Sequence, residues 1–338
     1  MEEKLKQLIE SSDRILITSH ISPDADALAS VLLLKTTLSL NFPDKTISAV
    51  LEEAPENLDF IEGYSQLDFK PLTDAVSELK PELFVMVDVG NFDRISRKDG
   101  AKLVEIIESS DIKTVSIDHH EPAGHDGVDL AINSKAPACV QAVYEICFEE
   151  LELSKPDGFA QTTMLGIYGD TGGFIYLGKE NSSTFGLIGD LVLAGVEMEA
   201  IKAKLNQFSE AQMLIIGELA ANTAHEKDYT YSFLGDEFVA SWLQTNSPAS
   251  LHLATKSYLD NYVRGIDGRK WGFITYSDVL DGDRTYSVSF RSLRFTKDVA
   301  AIAARLDGGG HKSAAGAKLE AGSVKEAIDK VKSAIASS

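Results

Sequence analysis

Cysteine is scarce in this chain of 338 residues: only Cys139 and Cys147 occur. Both lie in one helical-looking segment, where eight residues of helix rise about 12 Å, too far for a disulfide. So little cysteine argues against a disulfide-braced secreted protein and predicts a cytoplasmic one. Long apolar runs are missing too. None approaches the length of about 18 residues that a membrane helix needs, and the N-terminus (MEEKLKQLIESSD) is acidic and amphipathic rather than a signal peptide. Positive charge is in deficit, with 32 Lys plus Arg against 52 Asp plus Glu and a net charge of −20. Such a body repels long duplex nucleic acid and anionic membranes, so any nucleic-acid partner is expected to be short and held in a local basic pocket. The same charge also serves plain solubility. Repeats and low-complexity tracts are absent, and 44% hydrophobic with 25% charged residues is ordinary globular usage.

The length suits two domains. In the first half, short β-rich runs alternate with helical patterns, which predicts an α/β domain with a parallel sheet flanked by helices. Arg14–Thr18 (RILIT), Thr46–Leu51 (TISAVL), Leu83–Val87 (LFVMV) and Lys113–Ile117 (KTVSI) are the expected strands. Helices are expected over Ala25–Leu40, Ala101–Ser109, Cys139–Leu151, Gly158–Tyr168 and Ser183–Leu193. From Gly195 to His225 the pattern is wholly helical. Strands then return at Tyr229–Leu234, Trp271–Tyr276 and Tyr286–Phe290, followed by helices at Val299–Leu306 and Val324–Ile335. The expected organisation is a first domain over 1–194, a helical connector over 195–225 and a smaller mixed-sheet α/β domain over 226–338.

Four motifs of the first domain fall after expected strands or at a helix end, where open parallel sheets bind ligands. His20-Ile-Ser-Pro-Asp24-Ala-Asp26 follows the first strand, and a plain helix cap by Asp24 is the alternative reading. Asp88, followed by Arg94, ends LFVMV and can equally cap the next turn. Asp118-His119-His120 follows KTVSI, where paired imidazoles suit a metal and its substrate, or else lie on a surface loop. Asp170 sits in Gly-Asp-Thr-Gly-Gly at a helix C-terminus, a placement the helix dipole opposes and a cation would offset.

If Asp24, Asp26, Asp88 and Asp170 converge, their four negative charges repel one another and raise their own pKa values. Two divalent ions cancel that charge. Carboxylates with imidazoles suit Mn²⁺ or a similar octahedral ion, not a thiolate zinc site. Two ions about 3.5–4 Å apart supply a hydroxide at neutral pH and clamp a phosphoryl centre, which points to hydrolysis of a phosphate ester or anhydride. The window Arg284–Lys312 adds six basic residues against two acids. Within it, Arg291 and the backbone of Gly308-Gly309-Gly310-His311 suit phosphate oxygens, although a lone Gly run is often only a linker.

In this order the motifs resemble the DHH phosphoesterase superfamily: His20/Asp24/Asp26, Asp88 with Arg94, Asp118-His119-His120 and Asp170-Thr171-Gly172. Ser289-Phe290-Arg291-Ser292 with Gly308–Gly316 (GGGHKSAAG) resembles the DHH-associated C-terminal domain, and the likeness spans nearly the whole chain. It implies one Mn²⁺ on His20, Asp24 and Asp88, and a second on Asp26, Asp88, His119 and Asp170. By the same resemblance His120 meets the scissile phosphate, Asp118 orients a neighbouring imidazole, and Arg291, Ser292 and Gly308 to His311 hold the nucleotide when two lobes close. The compact architecture is similar to the nanoRNase or oligoribonuclease branch, which implies short oligonucleotides, linear dinucleotides or 3′-phosphoadenosine 5′-phosphate (pAp) as substrates. Cyclic dinucleotides and pyrophosphate remain alternatives, the latter opposed by the Gly308–Ala315 segment. A catalytically idle nucleotide sensor is the non-enzymatic one, opposed by the retention of all six ligand positions. Homodimers are common among such enzymes, and nothing in the sequence marks an interface.

Overall fold

The computed structural model describes residues 2–55, 58–96, 98–120, 127–205, 207–246, 248–278, 285–293 and 296–337. Arg284 and Arg294 of the expected basic window lie outside them. Two compact units emerge, Met1–Gln207 and Phe208–Ser338, divided inside the stretch 195–225. No helix among the described residues is long and apolar enough to cross a membrane.

The first unit opens with α1 (Glu2–Ser11), β1 (Arg14–Thr18), α2 (Ala25–Asn41), β2 (Thr46–Leu51), β3 (Asp68–Phe69), α3 (Leu72–Leu79) and β4 (Leu83–Val87). It continues through α4 (Gly100–Glu108), β5 (Lys113–Asp118), β6 (Leu130–Asn133), α5 (Cys139–Tyr144), α6 (Phe159–Asp170), α7 (Ser182–Leu193) and α8 (Met198–Leu205). The six strands are all parallel, in the order β3-β2-β1-β4-β5-β6. The chain therefore moves outward from β1 in one direction and then outward from β4 in the other, which makes the β1/β4 boundary a topological switch point.

The continuous apolar runs are explained by burial on both faces. Alternate side chains Ile15, Ile17, Val85, Val87, Val115 and Ile117 enter one core with α2, α5 and α6. Leu16, Phe84 and Met86 enter another beneath α3 and α4. Helix α2 is buried at every position from Ala25 to Leu34 because the sheet covers one side and α6 the other. Two glycines make that second contact close. A Cβ on Gly166 would stand 2.6 Å from Val140 Cγ1 and 2.8 Å from Asp26 Oδ1, and one on Gly169 would stand 2.7 Å from Ala25 Cβ.

The helix expected over Cys139–Leu151 stops at Tyr144 and widens into a π-turn over Glu145–Glu150. There Tyr144 and Phe148 meet edge to face at 5.0 Å, with the Lys155 ammonium over both rings. Both cysteines are buried and unpaired.

The second unit runs α9 (Glu210–Ala221), β7 (Ala224–His225), β8 (Thr230–Phe233), α10 (Asp236–Trp242), α11 (Pro248–Tyr258) and β9 (Trp271–Asp278). Then follow β10 (Thr285–Ser292), α12 (Val299–Ala304), β11 (Gly309–His311), β12 (Ala314–Glu320) and α13 (Val324–Ala336). Its sheet, in the order β11-β12-β10-β9-β8-β7, is mixed: β8 and β9 are parallel, the other pairs antiparallel. The stretch expected to be wholly helical over 195–225 carries α8 and α9 but ends in β7, a two-residue strand set by pairing with β8 rather than by any pattern of its own. The Gly run is also a strand. Gly310 has φ +135°, and a Cβ there would stand 2.7 Å from Ala314 O, so the close passage of β12 excludes a side chain.

Gly166→Ala tests the α2–α6 contact. Alanine favours the helix, but the neighbours have no room, and the overpacking is expected to lower stability by about 1–3 kcal/mol. A fall in the urea midpoint of the first unit checks it.

Candidate metal centre

Three connections and one helix end bring the first-unit motifs together. After β1, Ser19 Oγ donates to Val87 O at 2.7 Å, tying the ends of β1 and β4 across the switch point. His20 follows. Its Nδ1 lies 2.8 Å from Ile21 O, and since a carbonyl only accepts, Nδ1 carries the proton. The other ring nitrogen, Nε2, lies 3.4 Å from Asp88 Oδ2. Asp24 caps α2, accepting from the Asp26 and Ala27 amides at 3.0 and 3.2 Å. The capping reading thus holds, and the same residue also groups with His20 and Asp88.

Asp26, in the first turn of the buried helix, is only 1% exposed. Its carboxylate accepts from the Cys139 amide at 2.6 Å and the Val140 amide at 2.9 Å, so it caps α5 from another helix. That positive helix end favours the anion.

Asp88 ends β4 with φ +59°, a left-handed conformation that costs a non-glycine residue about 1 kcal/mol or more. Its amide donates to Ile117 O at 2.9 Å and to the Cys139 sulfur at 3.1 Å. At the end of β5, Asp118 Oδ1 accepts from the His119 and His120 amides and lies 2.8 Å from His120 Nδ1. Nδ1 is the donor in that pair, on a ring that is 44% exposed. His119 points inward, with Nε2 3.3 Å from Asp88 Oδ1, 3.6 Å from Asp170 Oδ2 and 3.8 Å from Asp26 Oδ2.

The donor atoms form three overlapping groups, each within 4.8 Å: His20, Asp24, Asp88; Asp26, His119, Asp170; and Asp88, His119, His120. Asp88 Oδ1 and His119 Nε2, which link them, are buried without a hydrogen-bond partner. Buried polar atoms are rarely left so, and oxygen and imidazole donors around such a gap suit a divalent cation.

The electrostatics carry the same mark. Burial lifts Asp26 well above the usual carboxylate range, and the charges of Asp88 and Asp170 add to it. Burial likewise lifts Asp170 to about 6. Burial alone would pull His119 down, but Asp88, Asp26 and Asp170 outweigh it and raise it to about 9. Burial would also raise Asp88, yet the imidazoles of His119 and His20 hold it below its ordinary value.

The second unit gathers a different set. Arg291 Nε donates to Asp260 Oδ1 at 2.9 Å, and the side chain is 20% exposed. It lines a cavity of about 160 Å³ with His252, Thr255, Lys256, Tyr276 and Ser289. His252 and Lys256 escape a reading of the sequence because α11 carries no motif. Arg291 pairs in register with Ala314, which in turn pairs with His311, so the two candidates stand level across three strands. Gly309, Gly310 and His311 are exposed, and Gly308 is half-buried. Ser292, by contrast, is fully buried, its hydroxyl donating to Leu293 O and accepting from the Lys297 amide. It is turned to the loop that follows β10.

Residues 14–167 match the family model described as DHH family, N-terminal domain, and residues 253–337 match the DHHA1 domain. The chain is similar to the bifunctional oligoribonuclease and PAP phosphatase NrnA of Bacillus subtilis, 26% identical over 332 residues that cover 94% of this chain and 93% of that one. It is also similar to the probable bifunctional oligoribonuclease and PAP phosphatase NrnA of Streptococcus mutans, 25% identical over 317 residues, covering 91% and 90%. A crystal structure of an exopolyphosphatase-related protein from Bacteroides fragilis shares the fold, with a TM-score of 0.82 at 22% identity, over 99% of this chain and 95% of that chain.

The raised His119 gives a pH dependence of fixed sign. The folded state favours its protonated form, so the stability it contributes is complete below pH 6.5 and is lost as pH rises through about 9. In chelator, the melting temperature is expected to fall between pH 6.5 and 9, and His119→Asn to flatten that slope. A wild-type profile flat over this range contradicts the assignment.

Proposed function

The chain belongs to the DHH family, its N-terminal domain joined to a DHHA1 domain, and from that premise we propose that it is a metal-dependent phosphoesterase hydrolysing short oligonucleotides and pAp to mononucleotides. The observation that carries this reading is the pair of buried atoms Asp88 Oδ1 and His119 Nε2, 3.3 Å apart and neither satisfied by a hydrogen bond, in the middle of overlapping carboxylate and imidazole groups. The relatives named for oligoribonuclease and PAP phosphatase activity support the substrate class.

In this reading His20, Asp24 and Asp88 hold one divalent ion, and Asp26, Asp88, His119 and Asp170 hold a second, Mn²⁺ foremost. Bound there, the ions supply charge compensation and activation of a water molecule for attack on phosphorus. The chain's own residues do the rest. Proton donation from His20 Nδ1 to Ile21 O fixes that ring with Nε2 toward the acids. Asp118 accepts from His120 Nδ1 and fixes that partly exposed ring in the same manner; in its imidazolium form the ring would donate the Nε2 proton to the leaving oxygen and be left neutral. In the second unit Arg291 suits a nucleotide phosphate, with Lys256 and His252 beside it, and the exposed Gly309–His311 backbone offers further contacts. The net charge of −20 accords with substrates too short to span that acidic body.

The test is a substrate panel of pAp, two- to five-nucleotide RNA and DNA, cyclic and linear dinucleotides, and pyrophosphate, assayed with Mn²⁺ and again after chelation. Release of mononucleotide from pAp and dinucleotides, abolished by chelator, is expected. Asp88→Ala is expected to lower kcat by about 10³-fold or more, since it removes a carboxylate from both ion sites. Arg291→Ala is expected to raise KM about tenfold with kcat little changed. Wild-type turnover in Asp88→Ala would overturn the metal assignment, and unchanged kinetics in Arg291→Ala the phosphate assignment.

A further inference from the structure

Cys139 touches two of the acids at once, through different atoms. Its amide donates to Asp26 Oδ2 at 2.6 Å. Its sulfur accepts from the Asp88 amide at 3.1 Å and donates to Ile117 O at 3.3 Å. These contacts link the N-terminus of α5 to the ends of β4 and β5. The residue is completely buried, and burial followed by the charges of Asp88 and Asp26 pushes its thiol up, so it is a neutral hydrogen-bonding group rather than a nucleophile.

The contact falls where the backbone most needs support. Asp88 is left-handed, at φ +59°, and a strained conformation persists only where its surroundings over-determine it. The Asp88 amide has two acceptors, Ile117 O and the Cys139 sulfur, and the thiol spends its own proton on that same carbonyl. These three groups, with Ser30 also hydrogen-bonded to the thiol, fix the peptide that aims the Asp88 carboxylate. Size matters as well as polarity. A hydroxyl has a shorter bond to Cβ and falls back from both partners, and a methyl group has neither donor nor acceptor.

We propose that Cys139 is a positioning residue of the metal centre, holding Asp88 and Asp26 in register with each other. This rests on the metal-centre reading above. It makes no claim of contact with substrate. Outer groups that orient metal-binding side chains typically govern affinity or activity by about 10–100-fold, and that is the scale expected here.

The experiment compares Cys139→Ala, Cys139→Ser and Cys147→Ala by Mn²⁺ titration calorimetry, melting temperature in chelator, and kcat and KM on pAp. Cys147 is the matched control, a thiol equally buried in the same core. All three variants are expected to melt lower. Cys139→Ala is expected to bind Mn²⁺ about 10–100-fold more weakly and to lose kcat with KM within about twofold, Cys139→Ser to show a smaller loss of affinity, and Cys147→Ala none. Should Cys139→Ala fail to fold, the comparison of Cys139→Ser with Cys147→Ala decides, a loss of affinity in the former alone being required. Mn²⁺ isotherms equal to wild type in the Cys139 variants overturn the positioning role and leave the metal centre standing. A wild-type protein that binds no Mn²⁺ overturns both.

Discussion

Mutual repulsion among carboxylates is the constraint around which the first unit is organised. Asp26 and Asp88 are almost wholly removed from water, and Asp24 and Asp170 lie within reach of the same imidazoles. Isolated anions at such depth are prohibitively costly, so each must be compensated or neutral. The fold answers with a positive helix end beneath Asp26, imidazoles beside Asp88, and a strained turn that holds the Asp88 side chain among them. The opposed pKa displacements are the residue of that conflict. Asp26 and Asp170 resist ionising while His119 resists losing its proton, as expected of a site whose charge is balanced only by added cations.

Much of this is legible in the order of the amino acids alone. RILIT, TISAVL, LFVMV and KTVSI are strands because a sheet covered on both faces needs unbroken apolar runs, a pattern that survives in one dimension. The acids and histidines stand out because they interrupt those runs at the strand ends. Less is legible wherever pairing rather than pattern creates an element. Strands β3, β7 and β11 have two or three residues each and exist through their neighbours. Cys139 looks like an ordinary buried residue in one dimension, since its link to Asp26 joins positions 113 apart. Gly166 and Gly169 look in sequence like weak points of a helix, and only the passage of α2 explains them. Asp24 is readable as a cap or as a member of the acidic group, and its geometry serves both.

The two units divide chemical character as well as chain. The first collects acids and imidazoles at a switch point between strands that part in opposite directions. The second collects Arg291 of β10 with Lys256 and His252 of α11, and Asp260 restrains the guanidinium. Burial and the neighbouring Lys256 and Arg291 push His252 toward its neutral form, so the local positive charge in a chain of −20 rests on the arginine and the lysine.

Both sheets taper toward their margins. The outermost strands have two and four residues in the first unit and three and two in the second, whereas the central β9 and β10 have eight each. Little unpaired backbone is therefore offered to a neighbouring molecule, and what β11 offers is rich in glycine, which favours extended pairing poorly. Margins this short are a device by which natural sheets discourage edge-to-edge pairing between molecules, a hazard that long apolar edge strands would bring.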